Sequence, residues 1–185
     1  LAALRAIPNH NVFRPADATE AAECWQLALQ SASAPSTIAL TRQNLAAVRT
    51  DFTEENLCAL GAYELATANG DAAVTIFASG SEVEIALAAR TQLQSRGHPT
   101  RVVSVPCFEL FEKQSAEFRT AIIGDAPVKI AIEAAIRLGW DRFIGLDGIF
   151  IGMKSFGASG PAKELYKHFG ITAEAAVNAA LKRLG

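Results

Sequence analysis

Ala73-Val-Thr-Ile-Phe-Ala78, running into Ser79-Gly80-Ser81-Glu82, is the stretch that decides the fold. Its apolar run is nearly unbroken, as a strand covered on both faces requires. Ser79-Gly80-Ser81 then turns the chain. Ser81 and Glu84 have the spacing of a capping box, which predicts a helix from here to Gly97 with Val83, Leu87 and Leu93 facing inward. Arg101-Val-Val-Ser-Val105, stopped by Pro106, reads as the next strand. A helical stretch around Ala116–Ile123 follows, and Val128-Lys-Ile-Ala-Ile132 reads as a third strand. Strand, helix and strand in alternation predict an α/β fold: an open, mostly parallel sheet with helices on both faces.

Upstream, Asn11-Val-Phe-Arg-Pro15 suits a strand end, and Asp17 with Glu20 suits a capped helix start. Ala22, Trp25, Leu29 and Ala32 recur at helical spacing, so that face is expected to be buried. Thr37-Ile-Ala-Leu-Thr41 reads as a buried strand leading into Arg42-Gln43-Asn44. Together these make a β-α-β unit, the building block of a parallel sheet. From Leu45 no period is clear, and an inter-domain linker is expected there. Downstream, Gly145, Gly148, Gly152, Gly157 and Gly160 punctuate a section that reads as loop-rich. A short helix is expected over Pro161–His168. The last helix is clearest: Ala173, Ala176, Val177, Ala180, Leu181 and Leu184 fall on one face, with Glu174 in its first turn and Lys182 and Arg183 in its last.

Composition narrows the classes of function. Half of the 185 residues are hydrophobic and 19% are charged, which excludes a disordered chain. A net charge of −2 offers no basic excess for nucleic acid or a membrane surface. No run approaches the length of a membrane span, and with no charged-then-apolar pattern no signal peptide is expected. Cys24, Cys58 and Cys107 are far apart and odd in number, so neither a disulfide framework nor a zinc knuckle is expected, and a cytoplasmic setting fits. The chain begins at Leu1 and its one methionine is Met153, which suggests a piece of a longer polypeptide.

Few residues carry candidate chemistry. Arg42 follows a predicted strand at its carboxyl end, where open α/β sheets place ligand crevices, and its guanidinium suits phosphate or carboxylate. The alternative is a surface or ion-paired arginine. The Ser79–Glu82 turn could hold an anion at a helix start, although simple capping explains it better. Gly145-Leu-Asp-Gly148 is no dinucleotide fingerprint. His10, His98 and His168 stand alone and show no metal-ligand spacing. Glu133 ends a very apolar strand. If buried it must have a partner, and a network holding the next turn or a subunit contact is favoured over acid/base work. No serine-hydrolase spacing is present.

Several motifs occur in order: Val12-Phe-Arg-Pro-Ala-Asp17, Ala39-Leu-Thr-Arg-Gln-Asn-Leu45, Ala78-Ser-Gly-Ser-Glu-Val83, Arg101-Val-Val-Ser-Val-Pro106, Phe111-Glu-Lys-Gln114, Glu117-Phe-Arg119, Ile132-Glu133-Ala134, Phe156-Gly-Ala-Ser-Gly-Pro161 and Phe169-Gly-Ile-Thr172. In this order they resemble the C-terminal part of a transketolase. The resemblance implies residues 1–44 as the terminal β-α-β of a pyrimidine-binding domain, 45–56 as a linker and 57–185 as the transketolase C-terminal domain. It implies an enzyme that transfers two-carbon ketol units between sugar phosphates, with thiamine diphosphate and Mg²⁺, as a homodimer. It also implies that Arg42 binds the substrate phosphate. In the family the metal-binding, cofactor-activating and histidine groups lie upstream, so no catalytic, cofactor-binding or metal-binding residue is assigned here, and the fragment alone is expected to bind no cofactor and to be inactive. The alternative is a non-catalytic dimerisation and packing module of a related thiamine-diphosphate enzyme. A free-standing nucleotide-binding protein is disfavoured by the missing fingerprint.

Overall fold

In the computed structural model, which describes residues 1–185, the chain opens with a one-turn helix α1 (Ala2–Arg5), strand β1 (Asn11–Phe13), helix α2 (Ala18–Gln30) and strand β2 (Ser36–Ile38). β1 and β2 pair in parallel, and a bond of 2.8 Å from the Ala39 amide to the Phe13 carbonyl extends the ladder by one step. The second strand is shorter than the predicted Thr37–Thr41 and only half-buried, because the two-stranded sheet has nothing beyond β2 to cover it.

Helix α2 corrects the periodicity argument. Its inward residues are Glu20 and Cys24, with Leu27 and Ala28 packed beside them, while Trp25 is 53% and Leu29 80% exposed. Spacing rules assume an apolar inner face. Here the facing surface presents hydrogen-bond donors, so acidic side chains turn inward. Asp17 caps α2 by accepting from the Glu20 amide at 2.8 Å. Glu20 bends back to the Ala16 amide (2.7 Å) rather than to Asp17, while its other oxygen accepts from Tyr63 and Ser104 at 2.6 Å each.

Residues 45–56 contain no helix or strand, and a 3-10 turn, Leu57–Leu60, follows. The chain continues through β3 (Tyr63–Ala66), β4 (Val74–Ala78), α3 (Glu82–Ser95), β5 (Thr100–Ser104), α4 (Phe108–Glu112), α5 (Ala116–Ile123), β6 (Val128–Glu133), α6 (Asp141–Ile144), β7 (Ile149–Gly152), α7 (Ala162–His168) and α8 (Ala173–Leu184). Strands β3–β7 form one sheet in the order β3-β5-β4-β6-β7, parallel except for β3 at the edge. Alternate side chains of each strand reach opposite faces. Val74, Ile76, Val102, Ile130 and Ile132 pack with α3 and α8 in an aliphatic core. Phe77, Val103 and Ala131 meet Phe108, Phe111, Trp140 and Phe143 in an aromatic one. The two layers realise the predicted helices on both faces.

Two strands, β3 and β7, and three short helices, α1, α4 and α6, lay outside the sequence reading. β3 is short and polar at Glu64, and β7 sits inside the glycine-punctuated section read as loop. Gly152 is required there, since a Cβ would lie 2.5 Å from the Glu133 carbonyl oxygen on β6. The predicted Ser81/Glu84 capping box is absent: Ser81 makes no cap bond and instead donates to Glu82 at 2.7 Å. No helix is long and apolar enough to cross a membrane.

Candidate functional site

Arg42 lies on the loop after β2, at the carboxyl ends of β1 and β2, and is exposed. No carboxylate of the chain forms an ion pair with it. The loop is held at both ends by one short stretch, Phe13–Asp17. At the near end the Ala39 amide bonds Phe13. At the far end the amides of Val48 and Arg49 donate to Asp17 Oδ2 at 3.0 and 3.3 Å, and the Arg49 guanidinium pairs with Glu23. A crevice of about 220 Å³ lies under the near end, lined among others by Arg14, Leu40, Thr41, Ser81 and Tyr166. A second cleft of about 350 Å³ lies between Gln43-Asn44-Leu45 and α7.

Beneath the loop sits a buried charge network. Strand β4 is flanked by β5 and β6, so the carboxyl ends of β4 and β6 border a topological switch point. Glu133 ends β6 there, and Glu82 opens α3 after the β4 turn; both are fully buried. Arg5 clasps Glu133 with two bonds of 2.8 Å. Ser79 Oγ and Trp140 Nε1 also donate to it, at 2.7 and 2.9 Å. Arg14 pairs with Glu82, donates to the Ser79 carbonyl at 2.9 Å, and stands 3.6 Å from Glu133. Glu82 accepts further bonds from Tyr166, Ser81 and the Ala134 amide. Two guanidinium groups thus cancel two carboxylates.

Protonation follows from these contacts. Burial works to raise the Glu133 carboxyl, but the bonds and charge of Arg5, then the charge of Arg14 and the Ser79 bond, outweigh it and hold the group below its usual value. Burial works to lower Arg14, and its pairing with Glu82 and Glu133 instead raises it. Burial, with Glu82 close by, pushes the Tyr166 hydroxyl up to about 12. Glu20 differs: no guanidinium meets it, burial dominates over its hydrogen bonds from Ser104, Tyr63 and Ala16, and its carboxyl is raised.

The expectation that a buried Glu133 must find partners holds. The Ser79–Glu82 turn receives the side chain of Arg14, a cation, through carbonyl and carboxylate oxygens. The histidines stay apart: His10 bonds Thr37 at 2.8 Å, and His168 stacks edge-on against Phe169. The three cysteines, distant in sequence, gather as free thiols around Phe13. The pairing of Arg5 and Arg14 with Glu133 and Glu82 escaped the sequence reading, which had Glu20 only as a helix-start residue and Glu82 only as part of a turn. The signal that exposed Glu133, a charge inside an apolar run, also marks Arg14 between Phe13 and Pro15.

Comparison with known proteins accounts for this two-part layout. Residues 61–172, more than half of the chain, match the family described as transketolase-like C-terminal domain, and residues 1–48 match the transketolase pyrimidine-binding domain. The chain belongs to the transketolase family. It is 56% identical over 185 residues to a transketolase of Sinorhizobium medicae, covering all of this chain and 26% of that protein. Transketolase from Leishmania mexicana superposes with a TM-score of 0.86 at 38% identity, over 98% of this chain and 26% of the other. A Pichia stipitis transketolase in complex with sedoheptulose-7-phosphate gives 0.88 at 35% identity, over the same shares. The chain therefore spans about a quarter of the length of these transketolases.

Proposed function

We propose that this chain forms the C-terminal part of a transketolase, an enzyme that moves two-carbon ketol units between sugar phosphates, and that it contributes Arg42 to the binding of the substrate phosphate. The observation that carries the role is the placement of Arg42: an exposed guanidinium with no carboxylate partner, on a loop anchored at both ends at the carboxyl edge of a parallel strand pair. That a related Pichia stipitis enzyme is described in complex with a sugar phosphate supports the substrate class. In this reading 1–44 close the pyrimidine-binding domain, 45–56 form a linker and 57–185 the C-terminal domain; the matches over 1–48 and 61–172 support the division into two domains.

Thiamine diphosphate with Mg²⁺ supplies the carbanion chemistry in such an enzyme. Neither the ion nor the diphosphate is assigned to residues of this chain. What the chain does is hold Arg42 and pack through its C-terminal domain into the dimer. Taken alone it is inactive. Calorimetry of the isolated chain with thiamine diphosphate and Mg²⁺ is expected to show no binding, and micromolar affinity would overturn that statement.

A charge-assisted contact to phosphate contributes ~1.5–3 kcal/mol, which corresponds to roughly 10–150-fold in affinity. Arg42→Ala in the full-length enzyme is therefore expected to raise KM for sugar phosphates by about that factor, and KM for unphosphorylated hydroxypyruvate far less. Equal effects on both substrates would remove the assignment.

A further inference from the structure

The switch-point crevice of an open α/β sheet is where such sheets bind ligands. In this chain the crevice is filled from within. Arg14 enters it from the end of β1, with its guanidinium against Glu82, the Ser79 carbonyl and, at 3.6 Å, Glu133. Gly80 admits it: a Cβ there would lie 2.9 Å from Arg14 Cγ, and the residue stands at φ +59°. The backbone of Arg14 is fixed as well. Its amide donates to Pro106 at 2.8 Å, and its carbonyl accepts from Gly80 at 2.9 Å. Contacts to Ser79, Gly80, Glu82, Pro106 and Glu133 therefore join one residue of the pyrimidine-domain segment to the C-terminal domain.

Arg14 also lies within Phe13–Asp17, the stretch that ties down both ends of the Arg42 loop. We infer that Arg14 is a positioning residue for substrate binding: the C-terminal domain uses its ligand crevice as a socket for this guanidinium, and through Phe13–Asp17 the socket sets where Arg42 stands. This rests on the reading of Arg42 as the phosphate contact. It gives the C-terminal domain a part in substrate recognition even though Glu82 and Glu133 never meet the substrate. All of these side-chain contacts run through one terminal nitrogen, Arg14 Nη1, which meets the Ser79 carbonyl and hydroxyl and both carboxylates.

A double-mutant cycle in the full-length enzyme tests this. Arg14→Met keeps the side-chain bulk and removes the charge. It is expected to raise KM for sugar phosphates at least tenfold more than KM for hydroxypyruvate. On an Arg42→Ala background the same change is expected to add less than twofold, because the contact it positions is already gone. Millimolar guanidinium ion is expected to restore much of the lost affinity to Arg14→Ala. If Arg14→Met does not fold, Glu82→Gln, which breaks the same pair and keeps the side-chain shape, is read in the same way. Penalties that multiply across Arg14 and Arg42, or fall equally on both substrates, would overturn the inference. Loss of phosphate selectivity on Arg14→Met with none on Arg42→Ala would instead remove the Arg42 reading.

Discussion

Two buried glutamates show how partners decide what a charge does. Glu133 is matched by guanidinium groups, and its ionised form is favoured in the folded chain. Its stabilising effect is present above the unfolded carboxylate value and is lost as pH falls through its lowered folded value. Glu20 faces two hydroxyls and an amide with no cation, and its raised carboxyl has the opposite sign. Its contribution is complete below the unfolded value and is lost as pH rises through the folded one. Glu20→Gln retains an acceptor for Ala16, and its amide can donate to the rotatable hydroxyls of Tyr63 and Ser104. The variant is therefore expected to melt at or above the wild-type temperature at pH 8. By pH 5 it is expected to fall below wild type by up to ~1 kcal/mol, the worth of one neutral hydrogen bond. Melting curves between pH 5 and 8 check this, and a constant difference across that range would contradict it.

Among the elements, α3 and α8 show why small residues recur on a buried face. Ala86 and Ala89 of α3 and Ala176 and Ala180 of α8 are fully buried in the aliphatic core, which lets the helices approach each other and the sheet closely. Ala180→Leu has no space to enter and is expected to cost about 1–3 kcal/mol. Chemical denaturation of the variant measures it, and a change under 0.5 kcal/mol, within the range of ordinary surface substitutions, would show a looser contact. These helices, like β4, β5 and β6, were legible in the sequence because both rows and runs of apolar residues were long enough to show their period. β3 and β7 were not legible. A short edge strand has few residues to alternate, and Gly152 is explained only by the strand beside it. The misread face of α2 has a different cause: its partner surface is polar, and hydropathy carries no record of a donor supplied from residue 63 or 104.

At the scale of the whole molecule, a pyrimidine-domain segment and a C-terminal domain are joined by a segment without helix or strand. Val48 and Arg49 are pinned to Asp17, and Asn56 accepts from the Ala59 amide, but Asp51–Glu55 is exposed. Limited proteolysis is expected to cut first between residues 51 and 55. The two products are expected to stay associated under native conditions, because the Arg5 and Arg14 pairs cross the seam. First cleavage within 73–105 would contradict the domain reading. Dissociation after a cut in 51–55 would show that the buried pairs do not suffice to hold the parts together.

The amino-acid order by itself determined the alternation of β4 to β6 with their helices, the family, the candidacy of Arg42 and the need of Glu133 for partners. Each is written in local spacing or in one residue that contradicts its surroundings. Only the tertiary structure decided which partners those are. Arg5 and Arg14 reach Glu133 and Glu82 across separations of up to 128 residues, and three distant cysteines meet at Phe13. A buried charge announces in sequence that it must be neutralised, because water is denied to it. The sequence does not name the neutralising group, because that pairing depends on how the sheet crosses over at its switch point and which side chain the resulting crevice admits.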